Sequence, residues 1–511
     1  MLSTTESVAL VGTEAVPVQI EVSVSSGGLP CLAIVGLPSK SVREAEQRTR
    51  AAIESTEGEA WPKRRMVANL APGALRKDGT HFDLGIALGI LAGAEHLPPE
   101  PLRGWILLGE LSLDGSLRPV RGTLAAAIAA RELGRRGVVC PASNASEAAL
   151  VGGIEVVPAS SLEEAVGFFR GVWAPGAVGP GEDGSPRSFA DMREVRGQDM
   201  AKRAMEIAAA GGHNVLMIGP PGSGKTMLAQ RLPGILPRMS PEEALEVSRI
   251  YSVAGLLGNR ACLVTDRPFR TPHHHISSAG LIGGGSGLPR PGEISLSHHG
   301  ALFLDELSLY RHEVLEAMRG PLEDGVVRIA RSGGAISYPC RFSLVAAMNP
   351  CPCGKVEDDS TECTCMKHQV TRYRSKLSGP LLDRIDVQIS LKRLGRDELL
   401  GPPDGETSTQ IRQRVERART MQLERYGSPL IANASATRAQ LEASHALTPD
   451  GLAKLGEAID AQSLSGRGLT RVLRIARTLA DLGGSGQVRD SHVVEALHHR
   501  LRGLGVKEPV A

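Results

Sequence analysis

The chain has 511 residues, room for roughly two to four domains. Apolar residues make up 41% and permit packed cores, whereas 3% aromatics argue against a reader of single-stranded nucleic acid built on stacking platforms. A net charge of +2 leaves any nucleic-acid contact to a local basic surface. No apolar run reaches the ~18 residues of a membrane span. The opening MLSTTESVALVGTEAV has no basic n-region or long apolar h-region, so the expected location is cytoplasmic. There thiols stay reduced, and clustered cysteines lean toward metal binding.

In chain order, Val16, Val18, Ile20, Val22 and Val24 recur with the period of a half-buried strand. Ser25-Ser26-Gly27-Gly28 predicts a turn, with LPCLAIVGLP returning as a second strand. Helices are expected near 40–57 and 83–94, and WILLGELSLDGSL as a hairpin about Asp114-Gly115. TLAAAIAARELG reads as a helix, and VVCPASN and IEVVPAS as two later strands. Together these predict an α+β domain over 1–171.

Residues 172–187, VWAPGAVGPGEDGSPR, have a linker's composition. A second domain, 188–395, is expected to open on the helix MREVRGQDMAKRAMEIAAAGG and the buried strand HNVLMIG. The third region, 396–511, turns strand-poor from about Gly401, with helices predicted at 407–425, 437–445, 449–460, 468–481 and 490–502. No internal repeat is evident, and the low-complexity pieces are the linker and GGGSG at 283–287.

Gly219-Pro220-Pro221-Gly222-Ser223-Gly224-Lys225-Thr226 fits G-x-x-x-x-G-K-S/T, between an apolar strand and a helix start. Such a loop curls backbone N–H groups around phosphate oxygens, aided by the helix dipole. Lys225 would reach the β- and γ-phosphates of ATP, and the Thr226 hydroxyl would bind Mg²⁺. GALFLDE is an apolar strand ending in two acids. Asp305 can hold the Mg²⁺, and Glu306 can polarise an attacking water. FSLVAAMN is a third core strand whose terminal Asn349 could orient that water and sense the γ-phosphate.

GPPGSGKT, GLIGGGSGLPRPGEISLSHHGALFLDEL, AAMNPCPCG and YRSKLSGPLLDRIDV together resemble the magnesium-chelatase-like AAA+ ATPases of the YifB/ComM type, over nearly the whole chain. The resemblance implies an α/β fold: a Lon-protease-like N-terminal domain, an AAA+ P-loop core and a helical lid. It implies a ring oligomer, usually a hexamer, that hydrolyses ATP and acts on DNA. ComM-type members resemble helicases promoting branch migration during DNA uptake; the alternative is a chelatase-type remodeller helping a partner insert Mg²⁺ into a porphyrin. By resemblance, Lys225 and Thr226 match Walker A, Asp305 and Glu306 Walker B, and Asn349 sensor 1. Arg384 matches an arginine finger given to a neighbouring subunit; a salt bridge to Asp383 or Asp386 is its bland reading. For sensor 2, Arg467, Arg471 and Arg474 share one helix face; Arg467 is favoured and Arg471 second. Residues Arg270 to Leu296 stand where this group carries its helix-2 insert, with Arg290 near a glycine tip. VVRIARSGGAISYP is a hairpin carrying Arg328 and Arg331 beside a Ser332-Gly333-Gly334 turn. These arginines either line a DNA channel or pack subunits together.

Cys351, Cys353, Cys363 and Cys365 form C-x-C-x9-C-x-C. Four thiolates in a tetrahedron suit a structural Zn²⁺, with His368 a spare ligand; redox sensing or unrelated thiols are the alternatives. His273-His274-His275 reads as a structural or DNA-facing loop, because three adjacent histidines on a regular element cannot face one ion. Cys31, Cys140, Cys262 and Cys340 are expected to be ordinary buried thiols. RKDGTHFDLGIALGIL and ILLGELSLDGSLRPVRG resemble the Lon proteolytic domain, but the Ser position falls at His81 and the Lys position near Leu124. A hydroxyl needs a base to become a nucleophile, so no peptidase activity is expected, and ring assembly or contact with DNA or a partner remains for this domain.

Overall fold

The computed structural model describes residues 1–500 apart from 26, 28, 180, 182–188, 258–262, 286–288, 332–333, 357–361, 402–404, 444–446 and 463. The N-terminal strands β1 (Leu2–Val11) and β2 (Glu14–Val24) pair antiparallel across Gly12. Along β2, Val18, Ile20, Val22 and Val24 are buried while Gln19 and Ser23 face water, as the alternation requires.

Then β3 (Cys31–Val35) departs from expectation. It does not return beside β2; it runs parallel to β4 (Arg65–Ala71), which lies between the two. The helix Ala45–Ser55 links β3 to β4, and a crossover of that length joins parallel strands. Edge position leaves Cys31 exposed, a correction to its reading as a buried thiol; Cys140 and Cys340 are buried, and Cys262 lies outside the described residues.

After these come β5 (Trp105–Leu107), the small hairpin β6 (Glu110–Leu111) and β7 (Leu117–Arg118), β8 (Gly137–Pro141) and β9 (Glu155–Ala159). The seven-stranded sheet has the order β3-β4-β2-β1-β5-β8-β9. The predicted hairpin about Asp114-Gly115 is β6–β7 alone, since β5 belongs to the main sheet.

One helix, Asp83–Gly93, is buried along its whole length against this sheet. Its close approach depends on glycine every fourth residue. A Cβ on Gly85, Gly89 or Gly93 would stand 2.8–2.9 Å from Ile20, Val22 or Val24. The hydroxyls of Ser3 and Thr5 donate to Gly89 O (2.6 Å) and Gly85 O (2.9 Å), pinning the helix to β1.

The next region contains β10 (Val215–Ile218), β11 (Phe269–Arg270), the ribbon β12 (Gly283–Gly284) with β13 (Arg290–Pro291), and β14 (Ala301–Leu304). The hairpin β15 (Val326–Arg331) with β16 (Gly334–Pro339), then β17 (Ser343–Met348) and β18 (Val387–Ser390), complete it. Ser332 and Gly333 of the expected turn, and Ser286 and Gly287 of the GGGSG stretch, lie outside the described residues. The core sheet, β11-β14-β17-β10-β18, is parallel throughout. The expected single opening helix is broken: a short turn at Met192–Glu194 precedes the helix Asp199–Gly211, with Gly197 and Gln198 between them at positive φ.

Helices Ser408–Tyr426, Arg438–Ala443, Pro449–Gln462, Gly466–Leu482 and Asp490–His498 follow. A buried polar network ties them to the core. His213, just before β10, bonds Asp386 (2.9 Å) and Thr478 (2.8 Å). Asn433 donates to Thr478 (3.1 Å) and Asp481 (2.8 Å), and Arg425 and Arg477 also hold Asp481. No helix among the described residues is long and apolar enough to cross a membrane.

The N-terminal sheet region packs on the helix Pro241–Ala254. Glu147 is 5% exposed and accepts from Leu124 N (2.9 Å), Asn144 Nδ2 (3.2 Å) and Ser252 Oγ of that helix. Burial pushes its carboxyl above the usual range, and these donors oppose the shift.

All three tryptophans, Trp61, Trp105 and Trp173, lie in the N-terminal part. Gly89→Leu should therefore lower the urea midpoint of the tryptophan fluorescence transition, by overpacking worth about 1–3 kcal/mol.

Candidate nucleotide site

The Gly219–Thr226 loop joins the end of β10 to the helix Lys225–Ile235. Gly222 and Gly224 have φ of 80° and 90°, a conformation that L side chains rarely adopt. Gly219 is needed for another reason: its Cβ would lie 2.7 Å from Leu391 O. Its N–H donates to Met348 O (3.2 Å), which ties the loop to β17.

Lys225 is 9% exposed. Its ammonium donates to Gly219 O (2.7 Å), Pro220 O (2.9 Å) and Asn349 Oδ1 (3.3 Å), with Ser223 Oγ at 3.5 Å. Burial lowers its pKa, opposed by Asp305. Thr226 Oγ1 donates to Asp305 Oδ2 at 2.7 Å, so the hydroxyl and carboxylate expected to share a Mg²⁺ already face each other. Asp305 also accepts the Glu306 N–H at 2.9 Å. Glu306 itself has φ 51° and a side chain 56% exposed, aimed away from the core. Pro221 and Ser223 complete the loop; Ser223 O accepts from Gln198 Nε2 (3.1 Å), which also reaches Lys392 O (2.7 Å).

Thus Lys225, Thr226, Asp305, Glu306 and Asn349 gather at the carboxyl ends of β10, β14 and β17. Arg384 and Arg467 do not join them. Both line a cavity of about 970 Å³ that also touches Asn214, Gly300 and Ser343, at the amino ends of the same strands. Asn214 anchors this edge, donating to Arg384 O (2.8 Å) and accepting from Leu344 N (2.7 Å). Strands of four to six residues put the two edges roughly 15 Å apart. Arg384 pairs with Glu323, not with Asp383 or Asp386, which hold Arg471 (2.9 Å) and His213 (2.9 Å). Arg471 is thereby occupied and buried, and Arg474 donates to Ala436 O (2.8 Å). Arg467 is exposed, with no hydrogen bond or ion pair among the described residues.

The four clustered cysteines converge. Their Sγ atoms lie 3.4 Å (Cys351–Cys353), 3.7 Å (Cys351–Cys363) and 3.5 Å (Cys353–Cys363) apart, with Cys365 in the same group. His368 is exposed and outside it. The His273–His275 loop is not a regular element, so its three imidazoles do approach one another, ring centroids 4.1–5.1 Å apart. Glu246, His298 and His299 form a third group. There His298 Nδ1 accepts Arg341 N–H (3.0 Å), which places its own proton on Nε2, toward Glu246 (3.0 Å). His299 Nε2 meets the same carboxylate oxygen at 2.8 Å, and the group is a hydrogen-bonded cluster, not an open ligand set.

In the N-terminal part, His81 is buried with Nε2 2.7 Å from Val8 O, and burial lowers its pKa. Leu124 is fully buried. His81 carries no hydroxyl and Leu124 no amine, so the two positions do not form a serine–lysine pair.

Two contacts escaped sequence reasoning. Gln198 buttresses the phosphate loop, and His274 Nδ1 stands 3.8 Å from Glu306 Oε2. Tyr310 holds the histidine loop there, its hydroxyl donating to Pro272 O at 2.6 Å. Only strand adjacency could have placed His274: it follows β11, which pairs with β14, the strand that leads into Glu306. Two substitutions probe the site. Thr226→Ala should weaken binding of a fluorescent Mg–ATP analogue by about 10-fold or more, for loss of a charge-assisted bond. His274→Ala should leave that affinity intact while lowering kcat.

Family models describe residues 191–399 as magnesium chelatase, subunit ChlI, residues 20–144 as subunit ChlI of Mg-chelatase, and residues 405–500 as the ChlI C-terminal part. The chain is 44% identical to an uncharacterized protein of Mycobacterium tuberculosis, over 97% of this chain and 98% of the relative. It is 41% identical to competence protein ComM of Haemophilus influenzae, over 96% of each. Uncharacterized protein YifB of Escherichia coli is 40% identical, over 98% of this chain and 97% of the relative. With near-full-length identity of 40% or more and a parallel P-loop core, the chain belongs to the YifB/ComM family of magnesium-chelatase-like AAA+ proteins.

Proposed function

We propose that the chain is one subunit of an ATP-hydrolysing ring, six-membered by resemblance to its group, that moves along DNA and acts as a helicase in branch migration. The observation that carries this reading is the division of the site between two sheet edges. Lys225, Thr226, Asp305, Glu306 and Asn349 lie at one edge, and Arg384 and Arg467 at the other. An arginine roughly 15 Å away along the strands cannot serve its own phosphates, so each pocket is completed by a neighbour. ATP would draw Lys225 from the Gly219 and Pro220 carbonyls onto its phosphates. Thr226 and Asp305 would hold the accompanying Mg²⁺, whose charge offsets that of the phosphates. Glu306 would polarise the attacking water, Asn349 orient it, and the neighbour's arginine finger stabilise the transferring phosphoryl, a term worth about 10³–10⁵ in rate.

The DNA part rests on two ribbons and on a relative whose name is competence protein ComM. Arg290 is exposed on β13, and Arg328 is 67% exposed on β15, where it pairs with Asp324. Such contacts to phosphate are independent of sequence and sensitive to salt. The remodeller reading is favoured by the magnesium-chelatase family models and uses the same ATP site. We further assign the four cysteines a structural Zn²⁺, because four thiolates at these spacings match its tetrahedral ligation.

The test is ATPase rate with and without forked DNA over a salt series. The motor reading expects stimulation that fades as salt rises, with strand movement by the oligomer; a rate indifferent to DNA and no unwinding would favour the remodeller. Arg384→Ala and Lys225→Ala should each be nearly inactive alone, and mixing them should restore part of the activity. Full activity in Arg384→Ala alone would remove that residue from the site.

A further inference from the structure

We propose that the four-cysteine centre buttresses the phosphate loop, so that metal loading of the cysteines sets how tightly the chain holds nucleotide. The inference rests on the zinc and ATP assignments above and adds a physical link between them.

Three observations carry it. The spacing comes first. Zinc–thiolate bonds of about 2.3 Å in a tetrahedron place sulfurs about 3.8 Å apart, and a disulfide would bring them to about 2.0 Å. The observed 3.4–3.7 Å separations match the metal geometry and not the covalent one.

The second is contact. Gly354, inside the centre, has φ 80° and lies against Pro221 of the phosphate loop: a Cβ there would stand 2.6 Å from Pro221 Cδ. Its N–H donates to Cys351 O (3.0 Å), so the turn touching the loop is built on a ligand residue. One residue before that turn, Pro350 O accepts from Arg374 Nε (3.2 Å), and the preceding Asn349 accepts from Lys225 (3.3 Å). A single short segment, 349–354, therefore bears on both the loop and its lysine.

The third is how little burial the turn has among the described residues. Of the described residues between 351 and 365, Cys351 and Gly354 alone are buried. So small an apolar contribution cannot hold the turn against chain entropy, and metal ligation can supply what burial does not. When the ion leaves, Pro221 loses its stop and Asn349 is released from Lys225, and the loop's amides are no longer pre-positioned for phosphate.

The experiment uses the full chain. Zinc is counted by elemental analysis after purification without chelator. It is then released with a mercurial and a chelator, the reagents are removed, and Mg²⁺ is restored. Affinity for a fluorescent ATP analogue is measured before release, after it, and after zinc is returned. The expected results are about one zinc per chain, a Kd at least tenfold weaker once it is gone, and recovery on its return. Gly354→Val separates link from ligand: it should keep its zinc and still bind nucleotide at least tenfold more weakly. Zinc-free protein with unchanged Kd, or Gly354→Val with full zinc and unchanged Kd, overturns the buttress. Protein that never carries zinc overturns it together with the metal assignment. Zinc-loaded wild type without nucleotide affinity sinks the ATP reading and the buttress alike.

Discussion

Every strand of the core sheet runs in one direction, and that constraint arranges the whole candidate site. Parallel strands put all carboxyl ends on one edge, where the loops can gather a lysine, a hydroxyl, two acids and an amide from three separate strands. The same parallelism sends the opposite ends elsewhere, with Asn214 fixing both Arg384 O and Leu344 N at that far edge. A fold of this kind presents two different edges, which in the proposed ring a head-to-tail contact between identical subunits would join.

The helical region after the core is held by charge and hydrogen bonds sealed from water. Asp481 takes bonds from Arg425, Arg477 and Asn433, and His213 connects the network to the entrance of β10. Such a network is costly to break one member at a time, because each loss strands a buried partner. Arg467 stands on the same helix as Thr478, so this network fixes where the helix carries its backbone.

The place of the Gly219–Thr226 loop was legible because its signal is local: eight consecutive residues between an apolar strand and a helix start. The two acids of GALFLDE and the amide after FSLVAAM were legible for the same reason, each closing a short apolar run. What failed was non-local. The position of β3 depends on a pairing with β4 thirty-odd residues on, and the alternation that marks a strand carries no information about its neighbours. Cys31 was misplaced as a consequence. The broken start of the Asp199–Gly211 helix depends on Gln198 reaching across to Ser223 and Lys392, which no periodicity records. His274 stands beside Glu306 only because β11 pairs with β14.

Glu147 has a mechanical consequence. Its carboxyl is sealed between the N-terminal part and the helix Pro241–Ala254, with donors from both sides. Prying the two apart would strip that group of Ser252 and flood a closed seam with water. A displacement of the helix would therefore carry the packed N-terminal part with it, because separating them exposes a carboxylate that both sides now satisfy.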